Sequence, residues 1–400
     1  MRARLESIES ATTTILLIMG GTHHRKLIYI MNRVDPDDSQ HFVPVLRGLC
    51  ALTQLGWDVV VLSEKGGQGE REILGCQVLY LSDKSNRKRI INLFRQLRRL
   101  KREGFRIILV RISLPAALMS AIASLINHQM LLFWVSGTVL DFDRETSLGK
   151  HRVKMAALKA VLFRAKYLLT GPETMVKYYC NELRISRNKV RLLYNDVDLS
   201  TFRADIQKSS SPWITLLIVH RLSAVRETDR YLPAILDSMA ELQRLGYPTK
   251  LKVFGDGPER PILTELCSKH PIGEHVQFFG AIANAQTPSV YRQADIFLLP
   301  SFREGFPRVL IEAMASGLPI VSTDAGGIQD ILDTQQRQFI SARTDSATFG
   351  RNVVTLALRP DIRRKLRDEN LERVKRFGIV PVAVMLQDIL ADALVEPEKR

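Results

Sequence analysis

The stretch Asp295-Ile-Phe-Leu-Leu-Pro-Ser301, Phe302-Arg-Glu304-Gly-Phe-Pro307, Arg308-Val-Leu-Ile-Glu312-Ala-Met-Ala-Ser-Gly317, Leu318-Pro-Ile-Val-Ser-Thr-Asp324-Ala-Gly-Gly327 decides the fold. It reads as strand, loop, helix, strand, loop. Ile296 to Leu299 is a short apolar run closed by Pro300, the signature of a buried strand. Pro307 suits a first helical turn, where its missing N–H has no partner to lose. Val309, Leu310, Ala313 and Met314 make one apolar helical face. Gly317 suits the residue that ends a helix, and Pro319 forbids its continuation. Leu318 to Ser322 is the next strand, and Gly326-Gly327 a turn with freedom for positive φ.

This unit has a chemical consequence. Glu304 sits on the loop before a helix N-terminus, and Glu312 lies inside that helix. The free amides of a first helical turn carry partial positive charge and suit a phosphate or a hydroxyl-rich ligand. A carboxylate on the same lip accepts hydrogen bonds from sugar hydroxyls. The second carboxylate can reach another part of the ligand, such as a ribose.

Glu304 and Glu312, with Gly305, Phe306, Pro307 and Val309 between them, resemble the E-x7-E motif of retaining glycosyltransferases of family 4. The flanking Ala-Asp-Ile-Phe-Leu-Leu-Pro-Ser and Gly-Leu-Pro-Ile-Val-Ser-Thr-Asp-Ala-Gly-Gly resemble that family too. Two glutamates at this spacing mean nothing alone. The match of the whole stretch is what is specific.

Composition sets the outer bounds. Four hundred residues suggest two or three domains with chain enough for a core. A formal net charge of +15 points to an anionic partner: a nucleotide, a nucleic acid or a membrane surface. Cys50, Cys76, Cys180 and Cys267 are widely spaced with no C-x-x-C pair, and read as reduced, buried cysteines of a cytosolic protein. Ile107 to Val135 is the most apolar segment, but Arg111, Pro115, Asn127, His128 and Gln129 interrupt it, so it reads as strand, helix, strand rather than a membrane span. Ile15 to Met19 is too short for a secretory core, and residues 1–24 read as an N-terminal extension or an unused upstream start.

The first half opens as strand, helix, strand: Lys26 to Met31, His41 to Leu55, then Trp57 to Leu62. The polar loop between, with Asp35, Asp37 and Asp38, stands where the resembled family usually has glycines. Cys76 to Leu81 is a strand. Residues 84–106 carry ten Lys and Arg against Glu103 alone, interleaved with Ile90, Ile91, Leu93, Phe94, Leu97 and Leu100. This is a basic amphipathic helix. It fits either an anionic lipid surface or a surface helix whose apolar stripe packs inward while its charges are merely solvated. Nucleic acid is disfavoured, because no nucleic-acid module is recognised and the segment has little aromatic interleaving beyond Phe94. Asp141-Phe-Asp143 spells a D-x-D of the kind that binds metal in a different fold, and is read here as loop, with no metal site. The family often has a histidine just before this point; Ser136 and Gly137 stand there instead. Residues 150–166 form a second basic helix.

Val190 to Leu193 is a strand, and Tyr194-Asn-Asp196-Val-Asp198 with Phe202 resembles the family's N-G-V-D…F hand-over between domains, with Asp196 in place of glycine. Residues 204–212 are the linker. The second half begins with the strand Trp213 to Val219 and then His220-Arg221-Leu222-Ser-Ala-Val-Arg226-Glu227, which resembles G-R-L-x3-K-G. Arg221 matches, Arg226 keeps the cation, and His220 and Glu227 replace glycines. Two cations after a strand suit a diphosphate. Gly255-Asp-Gly257-Pro-Glu-Arg260 follows the next strand and matches the family's G-D-G-P-E-R.

The fold expected is therefore α/β of the GT-B type, two Rossmann-like α/β domains facing across a cleft. Its parts are residues 25–203 on the acceptor side, 213–379 on the nucleotide-sugar side, and a helix in 380–400 that packs back on the first domain. The resemblance implies a metal-independent, retaining hexosyltransferase without a cofactor, using a nucleoside diphosphate sugar as donor and a saccharide or lipid-linked acceptor. Arg221, Arg226 and the amides after Gly305 would stabilise the leaving diphosphate, and Glu304 would hold donor sugar hydroxyls. Glu312 would hold the ribose or brace the loop, with Gly305, Phe306, Pro307, Val309, Gly255 and Gly257 lining the donor site. A cytoplasmic location is expected, with peripheral contact at an anionic inner membrane face through residues 84–106 and 150–166. The alternatives are a non-catalytic GT-B-fold binding protein and a sugar-nucleotide epimerase or hydrolase.

Overall fold

The computed structural model describes residues 25–35, 43–81, 85–135, 148–204, 211–223 and 227–395. Several expected features lie outside them: the extension 1–24, residues 36–38 of the acidic loop, Ser136, Gly137, Asp141 and Asp143, most of the serine-rich linker, and Arg226.

The first sheet has the order β3-β4-β2-β1-β5-β6-β7-β8. Its strands are β1 (Lys26–Arg33), β2 (Asp58–Lys65), β3 (Glu70–Ile73), β4 (Cys76–Tyr80), β5 (Ile107–Arg111), β6 (Met130–Trp134), β7 (Tyr167–Thr170) and β8 (Val190–Leu192). All neighbours are parallel except β3, which runs antiparallel to β4. Tyr29 on β1 stands opposite Val61 of β2 and Leu109 of β5. The strands are nearly continuous apolar runs because helices cover both faces. Those helices are α1 (Val43–Gln54), α2 (Asn86–Arg102), α3 (Leu114–Asn127), α4 (Leu148–Arg164) and α5 (Glu173–Asn181).

β3 was not expected from sequence. Glu70-Arg-Glu-Ile73 is polar and shows no period, so only its partner makes it a strand. Leu74 and Gly75 both adopt positive φ, 51° and 74°, which gives the two-residue hairpin turn that folds it onto β4.

The second sheet has the order β11-β10-β9-β12-β13-β14, and its strands pair in parallel. Its strands are β9 (Ile214–Val219), β10 (Thr249–Phe254), β11 (Val276–Gly280), β12 (Ile296–Leu299), β13 (Ile320–Thr323) and β14 (Ile340–Ser341). Around it lie α6 (Leu232–Arg244), α7 (Arg260–Ser268), α8 (Thr287–Arg292), α9 (Arg308–Ala315), α10 (Ile328–Ile331), α11 (Ser346–Leu358) and α12 (Pro360–Arg373). The chain winds outward from β9 in one direction to β10 and in the other to β12. This is a topological switch point, and open α/β sheets bind ligands at the carboxyl ends of the strands there. The loops leaving β9 and β12 are those of Arg221 and Glu304.

Pro307 is the N-cap of α9 rather than a residue of its first turn. Its ψ of 118° is extended, and its carbonyl accepts the Leu310 N–H at 3.2 Å. Gly317 and Gly326 do take positive φ, 70° and 57°.

The last helix, α13 (Ile379–Leu394), leaves the second sheet and returns to the first. Val382, Leu386, Ile389, Leu390 and Ala393 enter the core built by Leu46, Leu49, Trp57 and Val59. Lys166 Nζ holds the Ala393 carbonyl at 2.6 Å, and Tyr167 and Arg191 both bond Asp392 at 2.8 Å. Among the described residues no helix is long and apolar enough to cross a membrane.

Candidate active site

The two loops at the switch point are built differently. The β9 loop is fixed by backbone rungs to the β10 loop: His220 N–H to Phe254 O at 3.1 Å, Leu222 N–H to Asp256 O at 3.1 Å, and Glu259 N–H to Leu222 O at 3.2 Å. Gly255 and Gly257 make this approach possible. Their φ values are 138° and 153°, and a Cβ on either would lie 1.8 Å from His220 O or 2.0 Å from Leu222 O. These glycines, expected in the donor site, let the β10 loop press against the β9 loop.

Arg221, between two of those rungs, has an exposed side chain at the loop's lip. Glu227 closes the undescribed 224–226 segment in the left-handed region, φ 52° and ψ 45°, and pairs with Arg230 at 2.7 Å. The residue that replaces a glycine in sequence therefore occupies a conformation that favours glycine. Thr228 to Arg230 form a 3-10 turn before α6.

The β12 loop turns at buried Ser301 and presents Phe302, whose ring lies 5.3 Å from the Arg230 guanidinium and 5.5 Å from that of Arg343. Neither arginine is marked in the sequence; a cation flanking an aromatic dozens of residues away leaves no local pattern. Glu304 is partly buried. Its backbone is pressed against Gly326, where a Cβ would stand 1.8 Å from the Glu304 carbonyl, and the Gly327 N–H bonds Gly305 O at 3.1 Å.

The start of α9 is held by the first domain. Asn195 Nδ2 donates to Phe306 O at 2.8 Å. The Phe306 ring is buried against Tyr194 and Phe377, both with centroids 5.5 Å away. What Phe306 offers a ligand is thus its backbone, and Pro307 is buried beside it. Arg308 bonds the Asp196 carboxylate at 2.5 Å and its carbonyl at 3.0 Å. Val309 gives its carbonyl to the Tyr291 hydroxyl at 3.2 Å.

Glu312 lies just over one turn into α9 and accepts from the same Tyr291 hydroxyl at 3.0 Å. Burial raises its pKa, against the pull of Arg308 and of the tyrosine hydrogen bond. Glu304 and Glu312 thus mark two ends of one helix start, and a ligand touching both must extend along it.

Glu259 was quoted only as part of a motif. It is 4 % exposed. Its carboxyl takes hydrogen bonds from the Thr228 hydroxyl and from the backbone of Thr228 and Glu227, yet burial, with nearby Asp229, pushes its pKa up to about 7.

With this geometry in view, sequence comparison is decisive. Residues 202–373 match the family model of glycosyl transferases group 1, and residues 45–201 match that of glycosyltransferase family 4. The chain belongs to glycosyltransferase family 4. The gpi3 subunit of a phosphatidylinositol N-acetylglucosaminyltransferase from Schizosaccharomyces pombe is 26% identical over 175 residues, 42% of this chain and 38% of that protein. A D-inositol 3-phosphate glycosyltransferase from Saccharomonospora viridis is 29% identical over 259 residues, 61% of this chain and 59% of that protein. The chain thus spans from under two-fifths to about three-fifths of the length of these relatives. Among solved structures, Anabaena HepE, crystallised with UDP and glucose, superposes with a TM-score of 0.73 over 92% of this chain and 100% of its own, at 14% identity. The fold of this family 4 member is GT-B.

Proposed function

We propose that this family 4 protein transfers a hexosyl group from a nucleoside diphosphate sugar, with retention of configuration and without a metal, to a saccharide or lipid-linked acceptor. The observation that carries the reading is that Arg221 and Glu304 stand on the loops that leave β9 and β12, the adjacent strands at the switch point of the second sheet. A basic loop and a carboxylate loop on either side of one crevice suit a diphosphate joined to a hydroxyl-rich sugar.

The roles follow from charge. As the bond from the anomeric carbon to the diphosphate oxygen breaks, the carbon becomes oxocarbenium-like and the diphosphate gains negative charge. Arg221, Arg226 and the amides after Gly305 stabilise that charge. Glu304 orients the sugar hydroxyls and Glu312 the ribose. The acceptor oxygen attacks from the face the diphosphate leaves, and its proton passes to the departing diphosphate oxygen. The product keeps the donor's anomeric configuration, and NMR of the product reads it directly; an inverted linkage sinks this mechanism. Glu304→Gln is expected to lower kcat by at least roughly a hundredfold, since it removes an oriented charge at the reacting sugar.

The donor is found by a thermal-shift screen against UDP, GDP and ADP sugars with and without Mg2+. The expected result is stabilisation by one of them, independent of Mg2+ and lost in Arg221→Ala. Glu227 and His220, in place of glycines, favour a second reading as a binding protein without turnover. Stabilisation by a nucleotide sugar, with no transfer or hydrolysis, is its signature.

A lipid-linked acceptor and a cytoplasmic membrane face are supported by the first domain. α2, α3 and α4 pack side by side over one face of the first sheet. Leu93, Leu97 and Leu100 of α2 are buried in that core, whereas Ile91 is 60% exposed. Ile126 of α3 and Phe163 of α4 are 68% and 88% exposed. Exposed Arg95, Arg98, Arg102, Arg152 and Lys159 stand on the same helices. Apolar side chains in a basic field suit an anionic bilayer. Co-sedimentation with vesicles rich in phosphatidylglycerol, lost with pure phosphatidylcholine and in Ile126→Glu/Phe163→Glu, is the expected outcome.

A further inference from the structure

Glu259 stands outside the roles assigned so far, yet it touches both shoulders of the β9 loop. Its backbone N–H bonds Leu222 O at 3.2 Å, directly after Arg221. Its side chain accepts from Glu227 and Thr228 on the far shoulder, where Arg230 follows. Its own backbone is set by Gly257, whose φ of 153° lets the chain pass against Leu222 O. One residue thus fixes the spacing between the two described cations of the loop.

The environment of that carboxyl is unusual for an acid. It is nearly inaccessible, and its Oε2 makes no hydrogen bond among the described residues. No cation is paired with it among the described ion pairs. The charged and titratable groups around it come from three segments. Asp229 and the Glu227–Arg230 pair lie on the 3-10 turn, the Asp256–Arg260 pair lies on its own loop and helix, and His220 has Nε2 3.0 Å from Thr228 Oγ1. Arg230 and Arg260 are each engaged by another carboxylate.

We infer that Glu259 is a positioning residue for donor binding, holding Arg221 and Arg230 in register, and that it does so as a neutral carboxylic acid. A charged carboxylate buried here would add repulsion beside a diphosphate, whereas the neutral acid accepts the same N–H bonds through its carbonyl oxygen. Its tendency to protonate near neutrality fits this. The inference rests on the donor reading above.

Because a diphosphate diester keeps both charges across the neutral range, the donor draws the proton onto Glu259. The Kd for the donor is then flat below pH 7 and rises above it, by at most about tenfold per pH unit for a single proton. Glu259→Gln, a permanent mimic of the neutral acid, removes that slope and keeps wild-type affinity at pH 6.5. Glu259→Ala weakens binding at every pH.

The experiment uses the full chain, titrated calorimetrically with UDP-glucose, GDP-mannose and ADP-glucose between pH 6 and 8.5. Amide exchange of residues 220–231 in the free protein is measured alongside. Faster exchange at Glu227 and Thr228 in Glu259→Ala, by roughly tenfold for a lost hydrogen bond, with Glu259→Gln near wild type, supports the anchoring role. Unchanged exchange in Glu259→Ala overturns it. A pH slope that survives in Glu259→Gln assigns the titration to another group, His220 first, and overturns the neutral-acid role. If exchange responds as expected but none of the sugar nucleotides binds at any pH, the anchoring stands, the donor reading falls, and with it the role in donor binding.

Discussion

Asn195 Nδ2 and the Phe306 carbonyl oxygen, 2.8 Å apart, tie the end of the first sheet to the loop of Glu304. Asn195 is itself held from behind. Arg111 Nη2 donates to its Oδ1 at 3.1 Å, and the same guanidinium stacks 4.2 Å over Trp134 and approaches the Tyr29 hydroxyl at 3.4 Å. The buried arginine at the end of β5 therefore reaches the carboxylate loop of the other domain through one amide.

Removing that amide tests the link. Asn195→Ala leaves the Phe306 carbonyl and one arm of Arg111 without this partner, which costs about 1–3 kcal/mol for buried polar groups. Urea denaturation is expected to show the loss, and kcat with the donor to fall at least roughly tenfold through displacement of Glu304. Wild-type kcat in a destabilised Asn195→Ala would separate the amide from the chemistry.

The ion pair of Arg308 and Asp196 lies close by, with Asp196 buried and Arg308 only one-fifth exposed. Arg308→Ala strands a buried carboxylate and is expected to cost about 3 kcal/mol, near the lower end for breaking buried pairs. The double variant Asp196→Ala/Arg308→Ala should cost less than the sum of the single changes. Strict additivity in a double-mutant cycle would show that the two do not act as a pair.

These two links explain which part of the molecule was legible beforehand. In the second sheet β12, β10 and β11 stop at Pro300, Gly255 and Gly280, so punctuation and period locate them within a residue or two, whereas the two-residue β14 has no period to read and was not expected. Asp196 reads in sequence as a turn-tolerant replacement for glycine. Its carboxylate is in fact the receptor for an arginine 112 residues away. Local patterns report local conformation, and β3, Arg230 beside Phe302, and the grip of Glu259 on Thr228 depend on partners that only the fold brings near. The basic helix α2 is an intermediate case. Its period gives the buried leucines, but not that Ile91 would be left outside.

Gly257 allows a sharper test of the β9–β10 contact. A Cβ there meets the Leu222 carbonyl at 2.0 Å in a backbone region that side chains rarely adopt. Gly257→Ala is expected to lose on the order of 3 kcal/mol by the usual scale for strain at a special backbone site. Nucleotide-sugar stabilisation in the thermal-shift assay should vanish with it. A variant as stable as wild type that still binds donor would show that the two loops can separate without consequence.

Stability against pH follows from Glu259. Its pKa is about 7 in the folded chain against 4.5 for the free side chain. Between those values the folded state binds more protons than the unfolded one, so this group's contribution is fully present below pH 4.5 and is lost as pH rises through about 7. Glu259→Gln is therefore expected to be less stable than wild type, or equal to it, at pH 5, to gain on it up to about pH 7, and to level off by pH 8. Denaturation midpoints of the two proteins that move in parallel over that range would show that the burial of Glu259 does not shift its titration.

Glu227 carries two opposed effects that one substitution separates. Its left-handed backbone costs about 1–2 kcal/mol for a residue with a Cβ. Glu227→Gly removes that strain, but it also loosens the unfolded chain by roughly 0.5–1 kcal/mol and gives up a partly exposed ion pair with Arg230 worth at most about 1 kcal/mol. The sum lies near zero, so the melting temperature should hardly move. The charge balance does move. Arg230 is released from its carboxylate and a negative charge leaves the loop proposed to bind the diphosphate. Donor affinity should therefore rise several-fold at low salt and less at high salt, as screening predicts. Weaker binding in Glu227→Gly would mean that Glu227, through its pair with Arg230, holds the loop in its binding shape, and that this chain has replaced a glycine's freedom with a side chain's anchor.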